Sequence, residues 1–406
     1  MQTNLADFIK GTSDGDEAEA ILRACVHCGF CTATCPTYQI LGDELDGPRG
    51  RIYLIKQVLE GAPVTKKTQT HLDRCLTCRS CETTCPSGVK YGRLADIGRK
   101  VIEARVPRTL GERITRTLLK EALPRKWIFK PAYLAGQLVR PLLSHAMQDK
   151  LRKTPAAGRW PQREHARKML VLDGCVQPAM APNINAATAR VLDAFSVQLV
   201  VAPKAGCCGA LRYHLNDQDG GLDDMRRNID AWWPLVEQVE AIVMTASGCG
   251  VTVKEYGHLL AHDAAYADKA RRISDMTRDL SEVMPQFEAE LAGKLKGRID
   301  KKVAWHPPCT LQHGQQIRGK VEGVLRAAGV DVKLCADSHL CCGSAGTYSV
   351  LQPELATELR DRKLENLLAT GPAVIVSANV GCLNHLQSGT DTPVTHWIEL
   401  LDQALA

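Results

Sequence analysis

The C-terminal two thirds of the chain alternates short apolar runs with longer amphipathic stretches. Six runs rich in Val, Ile and Leu predict buried strands: KMLVLDG, SVQLVVAP, AIVMTAS, KKVAWHP, DVKLC and AVIVSAN. Between them, segments such as PNINAATARVLDAF and GKVEGVLRAAG have the apolar spacing of helices. Strands that alternate with helices favour α/β units with parallel sheets.

The N-terminal hundred residues have a different pattern. RGRIYLIKQVLEG (49–61) and RLADIGRKVIEA (93–104) have helical spacing, whereas strand-like runs are few. We therefore predict a small helical domain there.

Composition bounds the class of protein. The chain has 406 residues, of which 45% are hydrophobic and 24% charged, as expected for a globular protein of two or three domains. The N-terminus lacks the basic and apolar regions of a signal peptide, and no run approaches about 18 uninterrupted apolar residues. These features predict an intracellular protein without a transmembrane helix. Because thiols stay reduced there, its 17 cysteines indicate metal binding and not a disulfide framework.

The helical region contains one cysteine motif twice. CVHCGFCTATCP (25–36) and CLTCRSCETTCP (75–86) share the spacing C-x2-C-x2-C-x3-C-P. This is the run that bacterial ferredoxins use to hold a [4Fe–4S] cluster. A zinc site with four cysteine ligands is the alternative, but it usually consists of two separate C-x2-C pairs.

In two-cluster ferredoxins the fourth cysteine of each run ligates the other cluster. The first predicted ligand set is therefore Cys25, Cys28, Cys31 and Cys85. The second set is Cys75, Cys78, Cys81 and Cys35. Neither motif completes a site alone.

A second cysteine pattern is also duplicated. Cys175, Cys207-Cys208-Gly209 and Cys249 recur about 134 residues later as Cys309, Cys341-Cys342-Gly343 and Cys382. A repeat of this length indicates duplicated domains. The cysteines follow the predicted strands, where α/β folds build their sites. Cys335 fits neither pattern and is predicted to be a small buried core residue. His306, in WHPPC, is expected near Cys309.

The double ferredoxin motif followed by two CCG repeats resembles the family of glycolate oxidase iron–sulfur subunits over essentially the whole chain, and GPRGRIYLIK (47–56) is similar to that family too. Related CCG repeats occur in the iron–sulfur protein of anaerobic glycerol-3-phosphate dehydrogenase and in heterodisulfide reductase. The fold class is thus α+β overall, with a small all-helical double [4Fe–4S] domain followed by two α/β CCG domains. The predicted bounds are 1–100 for the helical domain, 101–165 for a basic helical connector, and 166–295 and 296–406 for the CCG domains.

The resemblance implies an electron-transfer subunit of a membrane-associated, FAD-dependent glycolate dehydrogenase. It implies two [4Fe–4S] clusters on this chain, FAD on partner subunits and a quinone-type acceptor. A G-x-G-x-x-G fingerprint begins at Gly248 and Gly250 but fails at Val253, so no flavin or nicotinamide site is predicted on this chain. No residue is predicted to be catalytic, and the chain alone is not expected to oxidise a substrate.

The CCG repeats depart from the heterodisulfide reductase pattern at one position. There a CCG domain ends in C-x2-C, whereas Thr252 follows Cys249 and His385 follows Cys382 at the place of the last cysteine. His385 can ligate iron, but Thr252 is a poor ligand. The eight CCG cysteines and His385 thus remain candidate metal or redox residues, and a further iron–sulfur centre in a CCG domain stays open. The alternatives in function are the iron–sulfur subunit of anaerobic glycerol-3-phosphate dehydrogenase and a CCG-domain disulfide reductase subunit.

The connector is the basic part of the chain. Between residues 99 and 168 there are 18 Lys/Arg against 5 Asp/Glu, whereas the net charge of the whole chain is only +6. WIFKPAYLAGQLVRPLLSHAM (127–147) mixes apolar and basic residues. We interpret this segment as a peripheral contact with an anionic membrane, on the cytoplasmic side of the inner membrane. Docking to an acidic partner subunit and a plain solvated linker are the alternatives. No nucleic-acid recognition motif accompanies the basic run, so no nucleic-acid partner is predicted.

Overall fold

The computed structural model describes residues 1–142, 154, 156–295 and 297–406. The chain forms two compact units. Unit 1 consists of Met1–Thr117 and His339–Leu359, and unit 2 of Leu118–Ser338 and Arg360–Ala406. The second CCG pair, Cys341-Cys342, therefore lies on a segment of unit 1.

Unit 1 is built from helices around one hydrophobic core. Its N-terminal part contains α1 (Ser13–Ala24), α2 (Pro36–Leu41), α3 (Pro48–Leu59), α4 (Lys66–Asp73), α5 (Ser80–Thr84) and α6 (Tyr91–Arg105). The two helices predicted over 49–61 and 93–104 correspond to α3 and α6. Every regular element among the described residues of this unit is helical, as the sequence predicts.

Local signals explain the ends of these helices. The hydroxyl of Thr12 caps α1 by accepting a hydrogen bond from the amide of Gly15 (3.0 Å). Pro36 and Pro48 occupy the first positions of α2 and α3, where a missing amide proton costs little. These helix ends place the cysteine-bearing loops, since α1 ends directly before Cys25 and α2 begins directly after Cys35.

The remaining helices follow in chain order. They are α7 (Leu110–Ala122), α8 (Lys126–Val139), α9 (Gln177–Met180), α10 (Asn183–Asp193), α11 (Ala210–His214), α12 (Gln218–Trp232), α13 (Ser247–Lys254), α14 (Tyr256–Leu259), α15 (Ala267–Met276), α16 (Leu280–Val283), α17 (Glu288–Leu295), α18 (Lys320–Ala327), α19 (Tyr348–Leu351), α20 (Pro353–Leu368), α21 (Val380–Gln387) and α22 (Trp397–Leu405). Of these, α19 belongs wholly to unit 1.

Unit 2 contains two four-stranded parallel sheets of identical topology. The first consists of β1 (Arg167–Val171), β2 (Val197–Val201), β3 (Ile242–Met244) and β4 (Thr277–Asp279), in the order β2-β1-β3-β4. The second consists of β5 (Lys302–Trp305), β6 (Asp331–Leu334), β7 (Val374–Ser377) and β8 (Val394–His396), in the order β6-β5-β7-β8. All six predicted strands are present, and the matching orders confirm the duplication.

The two copies are joined by hydrogen bonds within unit 2. The amide of Ser247 donates to the carbonyl of Ala378 (3.0 Å), and the His396 ring lies 3.0 Å from the carbonyl oxygen of Thr245. On another face, Arg190 of α10 forms a bidentate pair with Asp402 of α22 (2.8 and 2.6 Å). The bond from Ser247 to Ala378 holds the start of α13 beside the segment that leads into α21, and each of those helices carries a CCG cysteine.

The basic connector begins with α7 and α8. Several of its cations are paired with acids from distant parts of the chain, as in the bond from Arg116 to Asp73 (3.1 Å) and that from Lys126 to Asp173 (2.6 Å). The predicted interfacial segment over 127–147 lies only partly within the described residues, which stop at 142 before resuming at 154. None of the helices described is both long and apolar enough to cross a membrane.

Candidate iron–sulfur sites

The two ferredoxin loops follow the same backbone path. In the first loop His27 and Gly29 have left-handed φ angles of 60° and 86°. In the second loop the matching residues, Thr77 and Arg79, have φ angles of 54° and 61°. Left-handed geometry is unfavourable for a β-branched residue such as Thr77, so tertiary contacts must hold the loop in this form.

A first cavity, which we name cavity I, is walled by cysteines from both motifs. Its volume is about 440 Å³, part of it open to solvent. Its cysteines are Cys25, Cys28, Cys31, Cys81 and Cys85. The whole predicted first set therefore lines one cavity, with Cys85 contributed by the second motif.

A second cavity, cavity II, is smaller, at about 300 Å³. Its cysteines are Cys35, Cys75, Cys78 and Cys81. This is the complete predicted second set, with Cys35 contributed by the first motif. Cys81 lines both cavities and therefore lies between them.

The thiol pKa values reflect the same two groupings. Burial, followed by the neighbouring thiols of Cys25 and Cys85, raises the pKa of Cys31 to about 11. Burial and then the Cys78 and Cys75 thiols raise the pKa of Cys81 well above its usual value. Each predicted set thus places its sulfur atoms within electrostatic reach of one another.

Cys75 has the most polar surroundings of the eight. Burial raises the pKa of its thiol, but the positive charges of Arg51 and Arg99 outweigh this effect and the pKa is lowered. The Tyr91 hydroxyl and the Thr77 amide each donate a hydrogen bond to its Sγ atom, at a distance of 3.4 Å in both cases. A thiolate that accepts such bonds is well suited to ligate iron.

The residues present fit a [4Fe–4S] cluster in each cavity. The cluster takes four cysteine thiolates, and each cavity offers the four that the motif spacing predicts. Cys28 of the first set is exposed, whereas every cysteine of the second set is buried or half-buried.

The first CCG cysteines follow three adjacent strands of one sheet. Cys175 lies after β1, the Cys207-Cys208 pair after β2, and Cys249 after β3, within α13. The carboxyl ends of parallel strands meet at one edge of a sheet, which brings distant cysteines together. The predicted position of these cysteines after the strands is confirmed.

A chain of hydrogen bonds connects the four thiols of this copy. Hydrogen bonds join Cys207 to Cys175 and to Cys208, and a further one joins Cys208 to Cys249. The bonds from Cys175 and Cys208 lower the pKa of Cys207 well below its usual value, and the bond to Cys207 raises that of Cys175. These hydrogen bonds therefore favour the deprotonated form of Cys207.

Polar side chains fix the backbone of the Cys207-Cys208 pair. The Asn228 amide donates to the carbonyl of Cys207 (2.7 Å), and the Tyr256 hydroxyl donates to that of Cys208 (2.8 Å). Asp224 lies close by, and its pKa is raised to about 6 by burial and then by Cys207. These three polar residues were not predicted from sequence, since nothing in their local pattern marks them.

The glycine of each CCG motif is required by geometry. Gly209 has a φ of 90°, and a Cβ atom there would lie 2.6 Å from the carbonyl oxygen of Gly221. Gly343 has a φ of 88°, and its Cβ would lie 2.5 Å from the carbonyl oxygen of Ala356. Only glycine satisfies both demands, so the motif is a backbone requirement as well as a cysteine pair.

Thr252 does not replace the missing fifth cysteine. Its hydroxyl donates to the carbonyl of Gly248 one turn earlier in α13 (3.2 Å). This bond satisfies the hydroxyl within the helix and agrees with the expectation that Thr252 is a poor ligand.

The second CCG set is divided between the two units. Cys309 and Cys382 belong to unit 2, whereas Cys341 and Cys342 belong to unit 1. Within unit 2, a ring nitrogen of His306 and Sγ of Cys382 lie within 4.8 Å of each other. His385 is half-buried on α21, three residues after Cys382. Cys335 is buried directly after β6, as expected for a core residue.

His306 is a stronger candidate than the sequence indicates. Its side chain is buried and neither ring nitrogen has a hydrogen-bond partner among the residues described. A buried imidazole without a partner is unusual in a native structure. Burial and then the charge of Lys363 lower its pKa well below the usual value, which favours the neutral ring that ligates metals.

Asn379 connects the two CCG copies. Its Oδ1 atom accepts a bond from the amide of Gly248 (3.4 Å), next to Cys249. Its Nδ2 atom donates to Sγ of Cys382 (3.5 Å). One side chain therefore contacts the cysteine-bearing helices of both copies.

Two protein-family models match this chain. Residues 21–89 match the 4Fe-4S dicluster domain, and residues 169–254 and 303–387 each match the Cysteine-rich domain. The fold and the sites thus define an iron–sulfur protein that combines a two-cluster domain with two cysteine-rich domains.

Individual relatives narrow the class. The chain is 56% identical to the glycolate oxidase iron-sulfur subunit of Escherichia coli (strain K12), over 100% of this chain and 99% of that protein. It is 30% identical to the probable glycolate oxidase iron-sulfur subunit of Bacillus subtilis (strain 168), over 93% and 90%. Lactate utilization protein A of Bacillus licheniformis is 25% identical over 52% of this chain and 87% of its own length. The chain belongs to the family of glycolate oxidase iron–sulfur subunits.

Proposed function

We propose that this chain is the electron-transfer subunit of a glycolate dehydrogenase complex. It takes electrons from FAD on partner subunits and passes them toward a quinone-type acceptor. The observation that carries the proposal is the pair of adjacent cavities, each of which is lined by all four cysteines of one predicted set, drawn from both motifs. The full-length similarity to the Escherichia coli protein supports glycolate as the substrate of the complex.

The ligands of the first cluster are Cys25, Cys28, Cys31 and Cys85, and those of the second are Cys75, Cys78, Cys81 and Cys35. A bound [4Fe–4S] cluster supplies one-electron transfer, which suits a two-electron donor such as reduced flavin. The protein provides the thiolates, and the cysteines of the second set are less exposed than those of the first. The side chains described around both cavities include cysteines that can ligate a cluster and charged arginines. We assign no residue of this chain to the oxidation of glycolate.

The test is to mix glycolate anaerobically with the purified chain, alone and together with FAD-binding partner subunits. Glycolate should bleach the visible absorbance of the chain only when the flavoproteins are present. Glycerol 3-phosphate serves as the control substrate and should cause no bleaching. Bleaching by glycolate in the chain alone, or only by glycerol 3-phosphate in the complex, would overturn the proposal.

The first CCG domain holds a third redox centre, ligated by Cys175, Cys207, Cys208 and Cys249. The support is the chain of hydrogen bonds that connects these four thiols, because four cysteine thiolates are the donor set of a cubane cluster. Within unit 2, the second copy offers Cys309 and Cys382, with His306 or His385 as a further ligand.

Metal analysis tests the third centre. The anaerobic protein should contain about twelve irons per chain or more, whereas two clusters account for about eight. Replacing Cys208 with serine should remove about four irons, and replacing Cys335 with serine should remove none. About eight irons in both the unmodified chain and the Cys208 variant, or one zinc in place of the third centre, would contradict this assignment.

The chain associates peripherally with the cytoplasmic face of the inner membrane through α8. Trp127, Leu134 and Leu138 recur at helical spacing in α8 and are 75%, 49% and 83% exposed, and Leu142, just beyond the helix, is 87% exposed. Lys130 is exposed beside them. An exposed apolar stripe with an adjacent cation is the pattern of a helix that lies in an anionic membrane interface.

Vesicle sedimentation tests this surface. The chain should bind vesicles that contain phosphatidylglycerol more tightly than vesicles of phosphatidylcholine alone. The double variant Trp127→Ser, Leu138→Ser should lose at least about tenfold in binding, because each buried side chain contributes roughly 1.5–3 kcal/mol. Val350→Ser, at a residue 55% exposed in unit 1, is the control and should bind as the parent does. Equal binding by the double variant and the control would exclude α8 as the membrane contact.

A further inference from the structure

The two cavities differ in the charge that surrounds them. Arg51 lines cavity II, and its side chain is only 1% exposed. Its guanidinium donates to the carbonyl of His71 (2.7 Å) and to the hydroxyl of Thr37 (3.1 Å), and it contacts Asp46 (3.3 Å). A full positive charge is therefore buried against this cavity.

Asp46 does not fully neutralise that charge. It also accepts a bond from Arg74 (2.9 Å), and the Nδ1 atom of His71 lies 3.1 Å from it. One carboxylate is thus shared between two guanidinium groups. The balance beside cavity II remains positive.

Arg99 adds a second cation on the same side. Its guanidinium donates to the carbonyls of Leu72 (2.8 Å) and Cys75 (2.5 Å) and to the hydroxyl of Thr77 (2.8 Å). These partners are neutral, so the bonds position the charge next to a cavity II cysteine without neutralising it.

Cavity I has a more balanced and more solvated environment. Its neighbouring cation, Arg49, pairs with Glu44 (2.6 Å), and both side chains are more than a third exposed. Val26, Cys28 and Phe30 on the loop of this cavity are exposed as well. Water and the ion pair screen charge at this position.

An electron added at either cavity is one added negative charge, and a cation stabilises it most where the surroundings are poorly screened. We propose that Arg51 and Arg99 hold cavity II at a higher reduction potential than cavity I, so that an electron given to this unit settles at cavity II. The inference rests on the proposed function, since it requires a cluster in each cavity.

Cavity II lies next to the segment of unit 1 that carries two CCG cysteines. Tyr348, buried on the segment of unit 1 that also carries Cys341 and Cys342, donates to the carbonyl of Arg74 (3.1 Å), next to Cys75. The exposed loop of cavity I is the side open to a donor, and cavity II is the side that contacts the CCG segment. The electron therefore moves from the surface toward the CCG cysteines.

A redox titration followed by EPR, on the full chain under anaerobic conditions, tests the proposal. Two potentials should be resolved for the clusters of cavities I and II, apart from that of the proposed third centre. Arg51→Gln and Arg99→Gln should each lower the higher one, changing the ratio of reduced to oxidised protein at fixed potential by at least about tenfold, which is about 59 mV for one electron. Arg51→Lys keeps the positive charge, so this variant should retain most of the higher potential that Arg51→Gln loses. Asp46→Asn removes a negative charge and should raise the same potential.

Arg49→Gln is the matched control beside cavity I and should leave the higher potential unchanged. If Arg51→Gln loses iron, Arg99→Gln decides the question. Full iron content with a higher potential that neither glutamine variant lowers would overturn the inference while leaving the proposed function intact. Fewer than about eight irons in the unmodified chain would instead overturn the proposed function.

Discussion

Replacing Cys85 with serine should abolish the same EPR signal that replacing Cys28 abolishes, although the two residues belong to different motifs. Replacing Cys35 should likewise reproduce the loss caused by replacing Cys78. The reason is that Cys85 lines cavity I with the first motif, whereas Cys35 lines cavity II with the second. A serine oxygen is a poor substitute for a thiolate on iron, so each variant should lose about four irons per chain.

Because the variants are compared with one another, the EPR signals of the two clusters need not be assigned in advance. Cys28 and Cys78 stand near the middle of their motifs and serve as references for the two sites. If the clusters were not interleaved, the Cys85 variant would match the Cys78 variant, and the Cys35 variant would match the Cys28 variant. Cys335→Ser is the control for the loss of a thiol elsewhere, and both signals should persist in it.

Motif spacing determines much of what the sequence can predict here. The ferredoxin run is local, and a loop of about seven residues that carries three cysteines has few ways to hold a cluster. The CCG glycines are local as well, because a left-handed φ and a nearby carbonyl oxygen exclude every side chain. The family resemblance and the positions of the six apolar strands were also predictable, because they too depend on short patterns in the sequence.

Features that depend on tertiary contacts were not predictable. The strands β4 and β8 have three residues each, TRD and VTH, and lack an apolar run; pairing at the sheet edge alone makes them strands. Arg51 has the sequence context of an ordinary helix residue, and its burial depends on Asp46 and on His71, which is 20 residues away. The pairing of the connector's cations was not predictable either, because some of the acids lie far away in sequence, as Asp173 does from Lys126.

The charges that set the potential of cavity II also contribute to the stability of unit 1. Thr37 donates to the backbone carbonyl of Asp46 (2.9 Å) and accepts a bond from Arg51 (3.1 Å). The residue after the Cys35-Pro36 turn is thereby tied to α3. The same network that positions the cations beside cavity II thus holds the ligand segment of Cys35 in place.

Replacing Asp46 with asparagine should lower the stability of unit 1 by about 3–5 kcal/mol. Asp46 is fully buried, and its loss leaves Arg51 and Arg74 without their shared counter-charge. A buried cation that loses its partner keeps its desolvation cost without the compensating attraction. The thermal midpoint of cluster loss, followed by visible absorbance, should therefore fall by at least about 10 °C.

Asp14→Asn is the matched control, because Asp14 forms an ion pair of similar length with Lys100 (2.7 Å) in which both side chains are more than a third exposed. It should change the midpoint little, since exposed pairs contribute about 0–1 kcal/mol. The double variant Asp46→Asn, Arg51→Gln should be less destabilised than the two single variants added together, because removing Arg51 also removes a charge that Asp46 no longer balances. Equal midpoints for the Asp46 and Asp14 variants would show that the buried carboxylate does not stabilise unit 1 through these cations.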